Sequence, residues 1–341
     1  MLNINNFLFL SFNEIIFQLI SNLIFILLVI LSVAFFTLFE RKIMAGVQRR
    51  KGPSLVGYAG LLQAFADALK LLFKEITIPS GANFYMFLIA PHLSFTLSLL
   101  SWSIIPMSGN TSNTYYNIEL NYSVLLFLLL SSLQVYSLLF TGLASNSKYA
   151  LFGAIRAVAQ MIAYEVPFIL SICPVIIFSQ SFNFYIILKV QEQTCWFIFL
   201  FLPSFLIFLV CSLAETNRTP FDLPEAEAEL VAGFNVEYSS ILFALFFLAE
   251  YSNILLISSF GVILFLGGFN FPILSNFVSD ASFIFFFKVL CFMFFFVIIR
   301  AVLPRYRYDQ LLVIGWKLFF PLSFCLLLIY ALIYLYITML I

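Results

Sequence analysis

The chain has 341 residues, 63% of them hydrophobic and 9% charged, with a mean hydropathy of +1.09. A soluble domain carries about 25% charged residues, so a soluble fold is excluded and the chain reads as an all-α polytopic membrane protein, a single transmembrane unit over residues 1–341. Sixteen basic residues balance sixteen acidic ones, a neutral total that gives no sign of nucleic-acid binding.

A membrane-crossing helix needs about 20 apolar residues. Runs of this kind lie at about 15–39, 84–105, 122–144, 154–178, 195–213, 236–266, 283–303 and 311–337, which predicts eight spans. The first run ends at Glu40 and Arg41, and no small-residue cleavage pattern follows it, so it reads as a span rather than a signal peptide. A basic stretch, Arg49, Arg50 and Lys51, comes next. In 57–75 the polar residues Gln63, Asp67, Lys70 and Lys74 recur at intervals of 4, 3 and 4, one stripe of an amphipathic helix. Such a helix lies in the interface as an anchor, or as a floor for an amphipathic ligand entering from the bilayer. His92, after Pro91 in the second run, reads as a packing group rather than a proton relay.

The fourth run carries Arg156 and Gln160 on one helical face. It also holds Glu165, half a turn before Pro167, and then Pro174. Each proline removes a helical hydrogen bond and predicts a kink. The sixth run is long: 31 residues at a 1.5 Å rise give about 46 Å against a hydrocarbon core of about 30 Å, which demands tilt. It carries Phe247, Glu250 and Asn253. A carboxylate at mid-bilayer costs about 2.5–3.5 kcal/mol on insertion scales, so Glu165 and Glu250 read as functional, with an ion pair such as Glu165–Arg156 as the structural alternative. Arg300 and Arg305 follow at the end of the seventh run.

The basic residues set the orientation. All except Lys189 and Lys288 fall in the loops after the odd-numbered spans or at the helix ends facing them, and the positive-inside rule then puts both termini outside. The five cysteines are scattered, without metal-ligand spacing, and read as apolar side chains, so no metal site is expected. Forty-six phenylalanines suggest an AT-rich coding sequence such as an organellar genome.

Six of the sixteen acids crowd into residues 214–238: Glu215, Asp222, Glu225, Glu227, Glu229 and Glu237. Asp222-Leu-Pro-Glu225 has the form of a helix N-cap, a first-turn proline and an N3 acid. A short helix is expected from about 223 to 233, with Glu225 and Glu229 on one face and Glu227 nearly opposite. The rest of the cluster is like charge at close range, between spans that carry further acids. It reads as the entry to a proton path.

These segments are similar to a known family. "ERKIMAGVQRRKGPSLVGYAGLLQAFADALKLLFKE", "SNSKYALFGAIRAVAQMIAYEVP", "LAETNRTPFDLPEAEAELVAGFNVEY", "FALFFLAEYSN" and "RAVLPRYRYDQLL" resemble, in order, subunit 1 of the membrane arm of NADH:ubiquinone oxidoreductase, respiratory complex I. The resemblance implies a proton-pumping subunit that forms the membrane side and mouth of the ubiquinone tunnel. Ubiquinone is the implied substrate, while FMN and iron–sulfur clusters belong to other subunits. The implied partners are the hydrophilic quinone-site subunits, the antiporter-like membrane subunits and lipids. The implied location is the mitochondrial inner membrane with both termini in the intermembrane space, or else a bacterial plasma membrane. By motif position the resemblance assigns Glu40, Arg41, Arg50, Asp67, Phe247, Arg300 and Arg305 to the tunnel. It assigns Glu165, Glu215, Asp222, Glu225, Glu227, Glu229, Glu237 and Glu250 to a chain of coupling carboxylates, with Arg156 as their basic partner. Two other readings are open: the anchor subunit of a membrane-bound hydrogenase, and a stand-alone ion-coupled transporter. The latter often carries internal repeats, and none is visible here.

Overall fold

The computed structural model describes residues 12–106, 120–222, 233–270 and 281–340, and every regular element among them is helical. In chain order these are α1 (Phe12–Val47), a 3₁₀ turn (Tyr58–Gly60), α2 (Gln63–Phe73), α3 (Phe84–Trp102), α4 (Ser123–Ala144) and α5 (Lys148–Ser179). Then come α6 (Phe184–Gln193), α7 (Phe197–Leu200), α8 (Leu202–Glu215), a 3₁₀ turn (Gly233–Asn235), α9 (Ser240–Phe265) and α10 (Ala281–Val302). The chain ends with α11 (Tyr308–Val313), one π-turn (Ile314–Phe319) and α12 (Phe320–Leu340), which together read as one long final helix.

Among the described residues, seven helices are long and apolar enough to cross a bilayer: Ile20–Val47, Phe84–Trp102, Ser123–Ala144, Lys148–Ser179, Ser240–Phe265, Ser282–Val302 and Tyr308–Met339. The fifth predicted run differs. It splits into α7 and the 14-residue α8, with Phe201 out of helical conformation (φ −119°, ψ 40°) between them. Pro203 accounts for the break, because its ring would collide with the carbonyl four residues back and it has no N–H to donate. The sixth helix starts at Ser240 rather than 236, and its 26 residues span about 39 Å. The first helix continues past the predicted end at 39, so Glu40 and Arg41 are helical residues. The interfacial helix begins at Gln63, because Gly57, Ala59 and Gly60 all have positive φ. A side chain at Gly60 would also run into the Pro53 carbonyl. The expected acidic helix, with Glu225, Glu227 and Glu229, lies outside the described residues, as does most of loop 106–121.

The core lies where α4, α5, α8 and α9 meet. Phe127 stacks on Phe260 at 3.9 Å between ring centroids, and Phe168 on Phe208 at 5.2 Å. Helices in a bilayer gain nothing from hiding apolar surface from lipid, so they associate through close packing and polar contacts. Gly153 is one such contact: a Cβ there would sit 2.9 Å from the Gly233 carbonyl carbon and the Phe234 nitrogen. The missing side chain lets the turn that ends the acidic segment lie directly on α5. On α5 the Pro167 ring leaves the Ala163 carbonyl without a helical donor, and Gly315 in the π-turn packs beside that carbonyl. One residue along, the Tyr164 hydroxyl donates to the Leu311 carbonyl at 2.9 Å. Two irregular helices are joined at their irregularities.

Candidate functional site

Glu40 is buried, 3% exposed, although it lies near the end of a helix. Three groups surround it. Arg300 ion-pairs with Oε1, the Arg218 guanidinium lies 3.7 Å from the same oxygen, and the Tyr251 hydroxyl donates to Oε2 at 2.6 Å. Arg218 also lies over the Tyr251 ring, 4.3 Å from its centroid. A carboxylate taken out of water needs this many partners to stay charged. Phe247, one turn before Tyr251, stacks against it at 6.5 Å and packs at a tilt against Phe243 at 4.4 Å.

Arg41, next to Glu40, points the other way. It bonds Asp67 at 2.6 Å, and Gln63 donates to the second Asp67 oxygen at 3.0 Å. Both ion-pair partners are well exposed, so the pair orients α2 more than it stabilises it. Beside it opens a cavity of about 470 Å³ lined by Arg41, Met44, Arg50, Lys51, residues 52–56 and Gln63. Its wall combines an apolar strip with three cations.

The segment after α8 is held from α5. The Gln160 side-chain amide, fully buried, lies within donating distance of the Ala214 carbonyl (3.0 Å), Asn217 Oδ1 (3.2 Å) and the Phe221 carbonyl (2.7 Å). Residues 305–306 hold its far end. Arg305 pairs with the Asp222 carboxylate at 3.1 Å, the Tyr306 N–H donates to the Pro220 carbonyl at 3.1 Å, and the Tyr306 ring stacks on Phe221 at 5.8 Å. Asn217 fits a glycosylation sequon, but it is buried within this network.

A second cavity of about 30 Å³ lies deeper among α3, α4, α5 and α9. Ser94, Gln134, Ser137, Leu138, Met161, Glu215, Thr216, Asn217, Phe246, Ala249, Glu250 and Asn253 line it. About 10–15 Å³ suffices for one water, so the space is of water size. Glu215 is buried, and its Oε2 has no hydrogen-bond partner among the described residues. Glu165 is half-buried on α5 and is not among the residues lining this cavity. Two mid-chain carboxylates distant in sequence, Glu215 and Glu250, thus share one polar cavity.

A sequence model of the NADH dehydrogenase family matches residues 20–331. The chain belongs to this family. It is 50% identical over 318 residues to the NADH-ubiquinone oxidoreductase chain 1 of Cyanidium caldarium, covering 92% of this chain and 91% of the other. Identity to the corresponding chain of Triticum aestivum is 50% over 301 residues, 87% and 91% of the two chains. A bacterial NADH-quinone oxidoreductase chain, from Pelagibacter ubique, is 47% identical over 321 residues, 93% of each.

The structure thus brings Glu40 and Arg300 into one cluster with Phe247 beside it. Arg41 and Arg50 line the larger cavity, with Asp67 alongside. Arg305 and Asp222 form a separate pair, and Arg156 lies beneath the Tyr308 ring at 5.7 Å. Glu215 and Glu250 meet in the smaller cavity. Glu237, half-buried before α9, is not among its lining residues. His92 points outward, its Nδ1 2.8 Å from the Leu88 carbonyl. Sequence reasoning assigned no role to Arg218, Tyr251, Asn217 or Gln134. Gln134 did carry a signal, as an amide within a run of leucines. Arg218 and Tyr251 carried one only through their neighbours Glu215 and Glu250.

Proposed function

We propose that the chain is the membrane subunit of an NADH:quinone oxidoreductase that receives the quinone and passes the effect of its reduction to a row of carboxylates. Its relatives carry that enzyme's name. The observation that carries the reading is a pair of adjacent residues repeated on two elements. Asn217 and Glu250 line the carboxylate cavity, while their sequence neighbours Arg218 and Tyr251 hold Glu40. One residue of each pair faces each site, so a change of charge or geometry at Glu40 reaches the cavity through two peptide units.

On this reading the larger cavity, with Arg41 and Arg50, is the tunnel mouth. Its apolar strip suits an isoprenoid tail and its cations a polar headgroup. Arg300, Phe247 and Glu40 lie further along. Electrons come from FMN and iron–sulfur clusters in other subunits. Glu165, Glu215, Asp222, Glu225, Glu227, Glu229, Glu237 and Glu250 form the proton row, with Arg156 as its counter-charge. The topology is eight spans, with the short α8 as part of the fifth and both termini outside. The membrane is a mitochondrial inner membrane, and the neighbours are the hydrophilic quinone-site subunits, the antiporter-like subunits and lipids.

Narrowing the mouth tests the tunnel part of this reading. Met44→Trp, in the assembled enzyme, raises the KM for a long-tailed quinone severalfold and leaves electron transfer from NADH to a water-soluble acceptor unchanged. An unchanged quinone KM contradicts the placement of the mouth.

A further inference from the structure

Gln134 on α4 and Asn253 on α9 form a reciprocal amide pair at the edge of the carboxylate cavity. Gln134 Nε2 donates to Asn253 Oδ1 at 3.0 Å, and Asn253 Nδ2 donates to Gln134 Oε1 at 2.9 Å. Both side chains are half-buried, and both line the cavity that holds Glu215 and Glu250. Asn253 lies three residues after Glu250 on the same helix, so the two project from neighbouring positions of one face.

A carboxamide has two N–H donors and an oxygen with two lone pairs. The reciprocal pair uses one donor and one lone pair from each residue. One N–H and one lone pair per amide are left for other partners. A flip of one amide alone would set N–H against N–H and oxygen against oxygen, so the two reorient together or not at all. The pair therefore presents a donor and an acceptor in fixed relation to any water in a cavity large enough to hold one. The three hydroxyls of the lining are committed as donors: Ser94 to the Pro91 carbonyl, Ser137 to the Gln134 carbonyl and Thr216 to the Ser212 carbonyl; Asn217 accepts from Gln160 through its Oδ1.

We infer that Gln134 and Asn253 are positioning residues for proton transfer through this cavity: the closed amide pair orients the water that links Glu250 to Glu215. The inference rests on the carboxylate reading above and extends it from the groups that carry the proton to the groups that order its path. Neither amide gains or loses a proton; each holds a hydrogen bond while the proton moves between water and carboxylate. The bland reading is that the pair only ties α4 to α9.

Shape-matched apolar replacement separates the two. Exchanging both partners of a hydrogen bond for apolar groups of similar shape is nearly neutral for stability. The Gln134→Met/Asn253→Leu double variant therefore assembles, whichever reading holds. Protons moved per NADH oxidised are measured with the assembled enzyme in sealed vesicles, alongside the swapped pair Gln134→Asn/Asn253→Gln and the control Glu250→Gln. The expected result is a severalfold fall in proton yield in the apolar double variant and recovery in the swapped pair. An assembled apolar variant with wild-type yield overturns the inference while leaving the carboxylate reading intact, provided Glu250→Gln has lost its yield. If Glu250→Gln also pumps normally, both fall. Should the double variant fail to assemble, Gln134→Met alone, which keeps the Asn253 amide, is expected to lower the yield, and wild-type yield there overturns the inference.

Discussion

Glu40→Gln is the sharpest perturbation of the tunnel cluster, because it removes the charge and keeps the shape. Glutamine keeps one acceptor oxygen for Arg300 and sets an NH2 where Tyr251 now donates, so that hydroxyl has to turn and accept instead. What is lost is the counter-charge for two guanidiniums, one of them, Arg218, with an 8% exposed side chain. At 3.7 Å and an effective dielectric of about 20, one unit-charge pair is worth about 332/(20 × 3.7), or ~4.5 kcal/mol, before desolvation. Removing one member of a buried pair costs about 3–5 kcal/mol, since the other charge stays buried and loses that counter-charge. A loss of about 3 kcal/mol corresponds to roughly a hundredfold in an equilibrium constant. Arg218 is chemically part of the 214–222 segment, so the loss falls there and on the inner end of α1. Hydrogen exchange of peptides covering 40–47 and 214–222 in the assembled complex is the assay, and protection falls by about that hundredfold factor. Adding Arg218→Gln restores part of it, because the buried guanidinium that lost its Glu40 counter-charge goes too. Wild-type protection in Glu40→Gln would refute the claim that this carboxylate holds the segment.

Gln160→Leu removes the donor of the Phe221 carbonyl and Asn217 Oδ1, each costing about 1–3 kcal/mol when left unpaired, while the Ala214 carbonyl keeps the Asn217 N–H; proteolysis within 214–222 accelerates and quinone reductase activity falls. Gly153→Ala drives a methyl to 2.9 Å from the backbone at Gly233–Phe234, an overpacking cost of about 1–3 kcal/mol, seen as a lower yield of assembled complex on native gels. Tyr164→Phe loses only the bond to the Leu311 carbonyl, about 1 kcal/mol; the complex assembles and its thermal inactivation shifts by a few degrees.

Much of this was legible in the sequence because a bilayer leaves the chain few options. Apolar runs must be helices, since no water is present to satisfy an open backbone, and seven of the eight predicted runs are long apolar helices in the structure. The fifth run reads as one helix because hydropathy counts Pro203 as a tolerated residue and does not register its steric effect on the preceding turn. The 31-residue sixth run is overlong because Val236, Tyr238 and their neighbours are apolar enough to extend the window, although Val236 lies in a turn and Tyr238 in irregular backbone before Ser240. At the site, a lone carboxylate in an apolar run announces itself, so Glu165 and Glu250 were visible. Their partners were not. Tyr251 reads as one more aromatic among many, and its bond to Glu40, 211 positions away, is a product of tertiary packing. The Gln134–Asn253 pair has the same character: each amide stands out in its apolar run, but that they face each other is a product of packing.

The central claim is that carboxylates around Glu215 and Glu250 carry the consequence of quinone chemistry into the membrane. The most direct test is to measure quinone reductase activity and proton uptake together, in vesicles holding assembled complexes with Glu165→Gln or Glu225→Gln. Loss of both activities with assembly intact is the predicted result. Assembled variants that reduce quinone and pump at wild-type rates would contradict the account.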